Sequence, residues 1–239
     1  MTKVTPYKNS EAKKKQITQM FDNISTSYDF LNHTLSLGMD NIWRKIAIKK
    51  LSNNPVTILD IATGTGDFAI SASKYTNATI TGIDISQGML DVGVEKIAKK
   101  GLTNRIKLQL ADSENLPFKN NSYDAITAGF GVRNFEDLNK GLSEMYRTLK
   151  SGGIVAILEP SAPTHFPLKQ LYKLYFHYIL PFIGGIISKD KNAYTYLPDS
   201  VSAFPSENNF LTELVKVGFK ESKHIPLTFG IVSLYIAIK

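Results

Sequence analysis

The chain contains no cysteine. That excludes a disulfide framework, a thiolate zinc site, a redox pair and every mechanism that passes through a thiol adduct. Long apolar runs are missing as well. The longest charge-free stretch of the second half, Leu174 to Ser188, falls short of the roughly 20 residues that span a bilayer, and Pro181, Gly184 and Gly185 interrupt it. Met1 to Lys15 is hydrophilic and Lys-rich, without the apolar core of a secretory signal, so a soluble cytoplasmic protein is expected. The four histidines are scattered without ligand spacing, and no metal site is expected.

What is present is 239 residues, enough to bury a substantial core as one domain over 1–239. The net charge of +7 is unevenly placed: residues 51–150 carry 11 Lys/Arg against 11 Asp/Glu, residues 1–50 carry 9 against 4, and residues 151–239 carry 8 against 6. The excess therefore lies outside the middle of the chain. It suits an anionic partner or plain solvation.

From Pro55 onward, β-rich runs alternate with helical patterns. Strands are expected at Val56–Ile61, Ala78–Asp84, Ile106–Ala111, Tyr123–Gly129 and Gly153–Glu159, with helices at Phe68–Tyr75, Gln87–Lys100 and Glu136–Lys150. Such alternation implies parallel βαβ units. Phe219–Pro226 and Gly230–Ile238 read as a closing hairpin. The expected fold class is α/β: a Rossmann-like, doubly wound, seven-stranded sheet, mostly parallel with a C-terminal antiparallel hairpin. Residues 55–160 form its ligand-binding core and 219–238 the hairpin. Residues 9–52 form an N-terminal helical cap and 164–217 a helical lid, placed to cover the carboxyl ends of the strands, where ligands bind.

The strongest local signal is Ile58-Leu59-Asp60-Ile61-Ala62-Thr63-Gly64-Thr65-Gly66-Asp67, a buried strand that runs through two glycines into a helix. Glycines there let the backbone turn and approach a ligand closely. Gly64 to Ala69 also satisfies the degenerate dinucleotide pattern. Charge separates the two readings, because a diphosphate at the helix N-terminus would face Asp67. S-adenosylmethionine carries no phosphate, and its cationic methionine end suits Asp60 and Asp67, although Asp67 as a simple helix cap also fits. Asp84, ending the second strand about 20 residues after the turn, suits ribose hydroxyls. Asp112 and Ser113 suit adenine, with an ordinary N-cap as the alternative.

These parts, with Leu116-Pro117-Phe118, Tyr123-Asp124-Ala125-Ile126 and Leu149-Lys150-Ser151-Gly152-Gly153, resemble class I methyltransferases over residues 55–160. A wider resemblance covers nearly the whole chain. It rests on Phe21-Asp22-Asn23-Ile24, Ser27-Tyr28-Asp29, Asn32, Trp43-Arg44, Gly129-Phe130-Gly131-Val132-Arg133-Asn134, Glu159-Pro160-Ser161, Tyr196 to Ser200, Phe204-Pro205 and Thr228 to Val232. In these the chain is similar to the UbiE/MenG type of quinone-ring C-methyltransferase. Thr63 and Gly129 depart from the commoner family text, where Gly and Ser are usual.

The resemblance implies S-adenosylmethionine as cofactor, held by Asp60, Gly64, Thr65, Gly66, Asp84, Asp112, Ser113 and Gly129. It implies a polyprenyl quinol as substrate, demethylmenaquinol first. Arg133 would stabilise the developing phenolate, directly or through water, Tyr28 and Asn134 would hold the ring or a water, and Asp29 or a solvent chain would take the proton. A structural ion pair for Arg133 and simple packing for Tyr28 are the alternatives. No nucleic acid is expected, since Ala128-Gly129-Phe130-Gly131 replaces the Asp/Asn-Pro-Pro-aromatic run of base amino-methylating enzymes. Another small lipophilic acceptor, or nicotinamide oxidoreduction, would be the competing functions.

The segment Phe166–Ile187 is apolar nearly all round a helix: Leu168, Leu171, Tyr175, Ile179, Phe182 and Ile186, with Tyr172, Phe176, Tyr178 and Ile183 between. It suits a packed helix, a prenyl groove or a bilayer surface. Peripheral membrane contact is expected through Lys3, Lys8, Lys13, Lys14, Lys15, Lys169 and Lys173, with Phe176 and Phe182.

Overall fold

A computed structural model describes residues 4–7, 9–174, 191–205 and 207–239. Lys3, Lys8 and the expected helix positions Tyr175, Phe176, Tyr178, Ile179, Phe182, Ile183 and Ile186 lie outside them.

Five strands form the parallel part of the sheet: β1 (Thr57–Ile61), β2 (Thr79–Asp84), β3 (Ile106–Leu110), β4 (Tyr123–Gly129) and β5 (Leu149–Pro160). With β6 (Lys220–Leu227) and β7 (Val232–Ile238) the order is β3-β2-β1-β4-β5-β7-β6, antiparallel only where β7 pairs β5 and β6. The chain crosses over between β1 and β4, so their carboxyl ends splay apart and leave a crevice.

Alternation along the strands divides the core. Ile58 on β1 packs with Trp43, Phe68 and Ala72, on the face covered by α2 (Met39–Lys49), α3 (Asp67–Tyr75) and α4 (Gln87–Lys99). Leu59 and Ile61 pack with Leu142, Met145 and Phe210, on the face covered by α5 (Leu138–Thr148) and, past the lid, Asn208–Val217. With both faces covered, the central strands read as near-continuous apolar runs.

The helix expected at Glu136–Lys150 is shorter, Leu138–Thr148, with Asp137 capping it by accepting from the Lys140 amide at 3.0 Å. It stops because Leu149 is already a strand residue, paired with Tyr123 across an irregular register. The N-terminal cap is two helices, α1 (Lys13–Leu35) and α2, joined by a turn in which Leu37 and Gly38 both take positive φ. In the insertion the described helices are α6 (Leu168–Leu174), α7 (Lys191–Ala203) and α8 (Asn208–Val217). A short tip, Thr228–Gly230, joins β6 to β7. Among the described residues no helix is long and apolar enough to cross a membrane.

Candidate functional site

At the crevice, β1 runs into a loop that takes left-handed backbone at Ala62, Gly64 and Gly66, and α3 starts from Gly66. The loop after β4 lies against it so tightly that a Cβ on Gly131 would stand 2.4 Å from that of Ala62, and one on Gly129 would meet the Phe68 ring at 2.9 Å. A side chain at Gly131 would collide with Ala62, and one at Gly129 would have to displace the Phe68 ring. A cavity opens above these loops, lined by Gly64, Asp84, Asp112, Ser113, Gly129 and Asn134 among others.

Asp84 anchors the floor. One carboxylate oxygen accepts from the Gly64 amide at 2.8 Å and the other from the Ser86 amide at 2.9 Å. Burial pushes its pKa up, against the pull of these amides. An ionised carboxylate has about four acceptor positions, so two backbone donors leave Asp84 room for ribose hydroxyls.

Asp60, Thr65, Gly66 and Asp29 are not among the residues that line this cavity. Asp60 is fully buried and accepts from the hydroxyls of Thr127 at 2.6 Å and Thr63 at 2.5 Å. Burial raises its pKa to about 6. The unusual Thr63 thus has a structural reason: its hydroxyl supports the buried acid beneath the loop. Asp29 and Thr65 hydrogen-bond each other at 2.5 Å, and Lys96 joins both, at 2.5 Å from Asp29 and 2.9 Å from Thr65. The Asp29 carboxylate is thus occupied on both oxygens, by Thr65 and by Lys96. Asp67 is likewise taken, by Lys96 at 2.7 Å and Arg44 at 3.8 Å. Its charge therefore does not discriminate between cofactors as the sequence suggested.

His33, Asp40 and Asp67 bring donor atoms within 4.8 Å of one another. Arg44, 2.5 Å from Asp40, already supplies a fixed cation there, and a divalent ion would be repelled by it. The cluster works as an ion-pair knot between α1, α2 and α3.

Helix α1 crosses the mouth of the crevice. Asp22 accepts from the Ser86 hydroxyl at 2.6 Å and the Gly88 amide at 3.0 Å. Six residues on, nearly two helical turns, Tyr28 lies over the loop, 3.9 Å from where a Gly64 Cβ would stand. At its start, Lys14 reaches Asp112 at 2.7 Å and Glu114 at 3.1 Å, and Lys13 donates to the carbonyl of Phe135 at 2.8 Å. Asp112 and Ser113 do line the cavity, but Asp112 shares its carboxylate with Lys14 and the Glu114 amide. Lys14 and Glu114 were not foreseen. No local pattern marks a helix-start lysine that pairs with a loop about 100 residues later.

A second cavity of about 420 Å³ adjoins the first, within the range of small-molecule sites. Its wall is mostly apolar, from Met20, Ile24, Leu35, Trp43, Leu168 and Ile231, with Arg133 as one of its few charges. Phe21, Tyr28 and Phe130 line both cavities and so form the partition.

Arg133 is nearly buried. It pairs with Glu159 at 3.1 Å, donates to the Phe130 carbonyl and meets the Ser200 hydroxyl at 3.3 Å. Glu159, from the end of β5, also accepts from the amide of Val132 at 2.6 Å, which pins the loop after β4. Burial pushes the Glu159 carboxyl up while Arg133 pulls it down. The ion pair and the cavity-facing position therefore coexist. Asn134 instead faces the first cavity and accepts from Tyr196 at 3.1 Å. Burial raises the phenols of Tyr28, Tyr172 and Tyr196, the last to about 12, and the Arg133 cation opposes each rise. All three hydroxyls remain protonated donors at neutral pH.

Residues 9–239 match the family model described as the ubiE/COQ5 methyltransferase family. A demethylmenaquinone methyltransferase of Bacteroides fragilis is 49% identical over 239 residues, covering 99% of this chain and 98% of its own. A ubiquinone/menaquinone biosynthesis C-methyltransferase UbiE of Geotalea daltonii is 48% identical over 230 residues, 95% and 97% of the two chains. Among solved structures, a SAM dependent methyltransferase from Aquifex aeolicus superposes with a TM-score of 0.60 at 18% identity, covering 82% of this chain and 88% of that one. Haemonchus contortus phosphoethanolamine N-methyltransferase 2, in complex with phosphomonomethylethanolamine and S-adenosylhomocysteine, gives 0.66 at 18%, covering 95% and 59%. These two likenesses show the fold. The family match over residues 9–239, with relatives near half identical over almost all of both chains, shows more: the chain belongs to the ubiE/COQ5 methyltransferase family.

Proposed function

We propose that this protein methylates a ring carbon of a polyprenyl quinol, demethylmenaquinol first, with S-adenosylmethionine as donor. The observation that carries the reading is the pair of adjoining cavities. One is polar-floored at the strand ends, the other apolar, and Phe21, Tyr28 and Phe130 separate them.

The fit to the donor rests on the first cavity. The half-buried Asp84 carboxylate keeps acceptor positions for ribose hydroxyls, Asp112 and Ser113 on the cavity wall suit adenine, and Gly64 and Gly129 let backbone approach the ligand. When bound, S-adenosylmethionine supplies a methyl group already activated on a sulfonium, so what the protein must add is alignment and charge control.

The second cavity holds the quinol by apolar contact and presents Arg133 to it. The guanidinium stabilises a ring oxygen as it gains phenolate character, which makes the neighbouring ring carbon nucleophilic. Glu159 fixes the guanidinium in place, and Tyr28, a protonated phenol on the partition, orients the ring. Asn134, on the donor side with Tyr196, fixes the loop between the two cavities rather than touching the quinol. Asp29, paired with Lys96 at 2.5 Å, or a solvent chain takes the proton.

A tail of isoprene units keeps such a substrate in the bilayer, so a cytoplasmic enzyme would meet it at the membrane surface. The test is methyl transfer from labelled S-adenosylmethionine to a short-tailed demethylmenaquinol. Incorporation into the ring carbon supports the reading. No transfer to any quinol, with transfer to another lipophilic acceptor, would overturn it.

A further inference from the structure

Three segments meet around the apolar cavity: the α1–α2 turn, the stretch from β5 into α6, and the β6–β7 tip. Ser161 ties the second to the third, its hydroxyl donating to the Gly230 carbonyl at 2.8 Å and its amide to that of Ile231 at 2.9 Å. Trp43 of α2 ties the tip to the first, donating to the Thr228 hydroxyl at 2.8 Å. Leu37, Leu171 and Thr228, one from each segment, line the same cavity.

Each segment also holds a large apolar side chain out in solvent. Leu37 is 86% exposed, Phe166 81% and Phe229 80%, with Leu171 and Leu174 more than half exposed on α6. Two of the three sit in backbone that disfavours them: Leu37 has φ of 52° and Phe229 of 58°, a region that Gly or Asn occupies with far less strain. Neither the backbone nor the core gains from a bulky apolar group at these tips. A surface that exposes such groups in a cluster is a contact surface.

Charge selects the occupant. Residues 35–39, 161–174 and 226–231 contain no carboxylate, whereas the middle segment carries Lys169 and Lys173, and the whole chain is at +7. We infer that this rim, with Leu37, Phe166 and Phe229 at its tips and Lys169 beside them, docks on an anionic lipid bilayer and sets the mouth of the apolar cavity against the membrane. The inference deepens the quinol reading and rests on it: a tail could then pass from the bilayer into the cavity without crossing water. It also moves the contact. Lys13, Lys14 and Lys15, expected to attract the membrane, are bound to Phe135, Asp112 and Glu11 within the protein.

Vesicle co-sedimentation of the full chain tests this, with phosphatidylglycerol mixed into phosphatidylcholine against phosphatidylcholine alone. The wild type should bind the anionic vesicles and release as salt rises. Phe166→Ser/Phe229→Asn should lower the bound fraction by about tenfold, the scale for withdrawing apolar side chains from a nonpolar phase. Lys169→Glu should lower it by roughly fivefold on anionic vesicles only. Asn keeps the left-handed backbone at the tip, and neither variant alters the cavity wall, so both should turn over a tail-less demethylnaphthoquinol at the wild-type rate. Wild-type binding by both variants, or no binding by the wild type at low salt, would overturn the inference. So would a self-associating wild type that the Phe166→Ser/Phe229→Asn variant dissociates, which would make the rim an interface between copies. Failure on the tail-less quinol with vesicle binding intact would instead count against the quinol reading and leave the docking face standing.

Discussion

The two cavities are built on different plans. The donor cavity is made where strands end, from backbone amides, glycines and carboxylates that the sheet holds rigidly. The apolar cavity is made by α1, α2, α6 and the β6–β7 tip leaning together, with Arg133 and the Asp40–Arg44 pair as its strongly held polar features. A rigid polar site recognises one ligand by fixed hydrogen bonds, and an apolar site recognises shape and greasiness. Changes at Arg133 should therefore alter chemistry, changes at Asp84 should alter affinity, and neither should do the other's work.

The largest effect tests that division at Arg133. Arg133→Ala alone leaves Glu159 buried and unpaired, a loss of about 3–5 kcal/mol in stability. Replacing both partners, Arg133→Ala with Glu159→Gln, removes the stranded charge and should recover most of that loss. Turnover in the double variant should still fall by roughly tenfold to a thousandfold, while affinity for S-adenosylmethionine stays near normal. Recovered turnover would reduce Arg133 to a structural pair; lost cofactor affinity would place it in the wrong cavity.

Asp84→Ala is the converse test. Cofactor binding should weaken by about 1.5–3 kcal/mol, the range for hydrogen bonds involving a charged group, as read by calorimetry. The pH dependence has a defined sign. Burial raises the Asp84 pKa, so the acceptor carboxylate is lost to protonation at a higher pH than an exposed aspartate. Affinity should fall on acidification, at a higher pH than an exposed aspartate would set, and the Ala variant should lack that fall. A parallel pH slope in both proteins would detach Asp84 from the ligand.

Asp60 separates a binding acid from a scaffolding one. Its folded pKa of about 6 lies above the unfolded ~3.9, so the native state binds the extra proton between these values. Stability is then greatest at the acidic end of that window and declines as pH rises through 6, by about 3 kcal/mol. Asp60→Asn should flatten this decline in melting curves while leaving cofactor affinity nearly intact. A large affinity loss with unchanged melting would restore Asp60 to the ligand's side.

What the sequence made legible follows from the same comparison. The strand–glycine–helix run, Asp84 and the loop after β4 are local: each function sits within a few residues of the turn that positions it. The mostly parallel, doubly wound sheet followed from alternating patterns for a similar reason. The pairing of Asp29, Thr65 and Asp67 was not legible, because a residue type does not say which partner its side chain meets. Lys96, from a helix about 30 residues on, decides that. The apolar cavity was invisible as a unit, since its walls come from positions as far apart as Met20 and Val232. Where Lys14 goes was unreadable for the same cause.

The smallest effect concerns that lysine, which bridges the two plans: it belongs to the apolar cap but binds the polar floor. Lys14 and its partner Asp112 are each about one-third exposed. Burial alone would lower the Lys14 pKa, but hydrogen bonds to Asp112 and Glu114 outweigh it and leave the pKa raised. The pair is half in water, so its worth is on the order of 0.5–1 kcal/mol at most. That is too little to hold the fold but enough to slow the lifting of the start of α1 from the cavity mouth. Lys14→Ala should therefore speed association and dissociation of S-adenosylmethionine together, by roughly two- to fivefold, and leave the ratio of the two rates nearly unchanged. Stopped-flow binding at two salt concentrations is the measurement. Salt should accelerate exchange in the wild type by screening the pair, and should do so much less in the variant. If only dissociation quickens, Lys14 contacts the ligand itself; if neither rate moves, the start of α1 is not a gate.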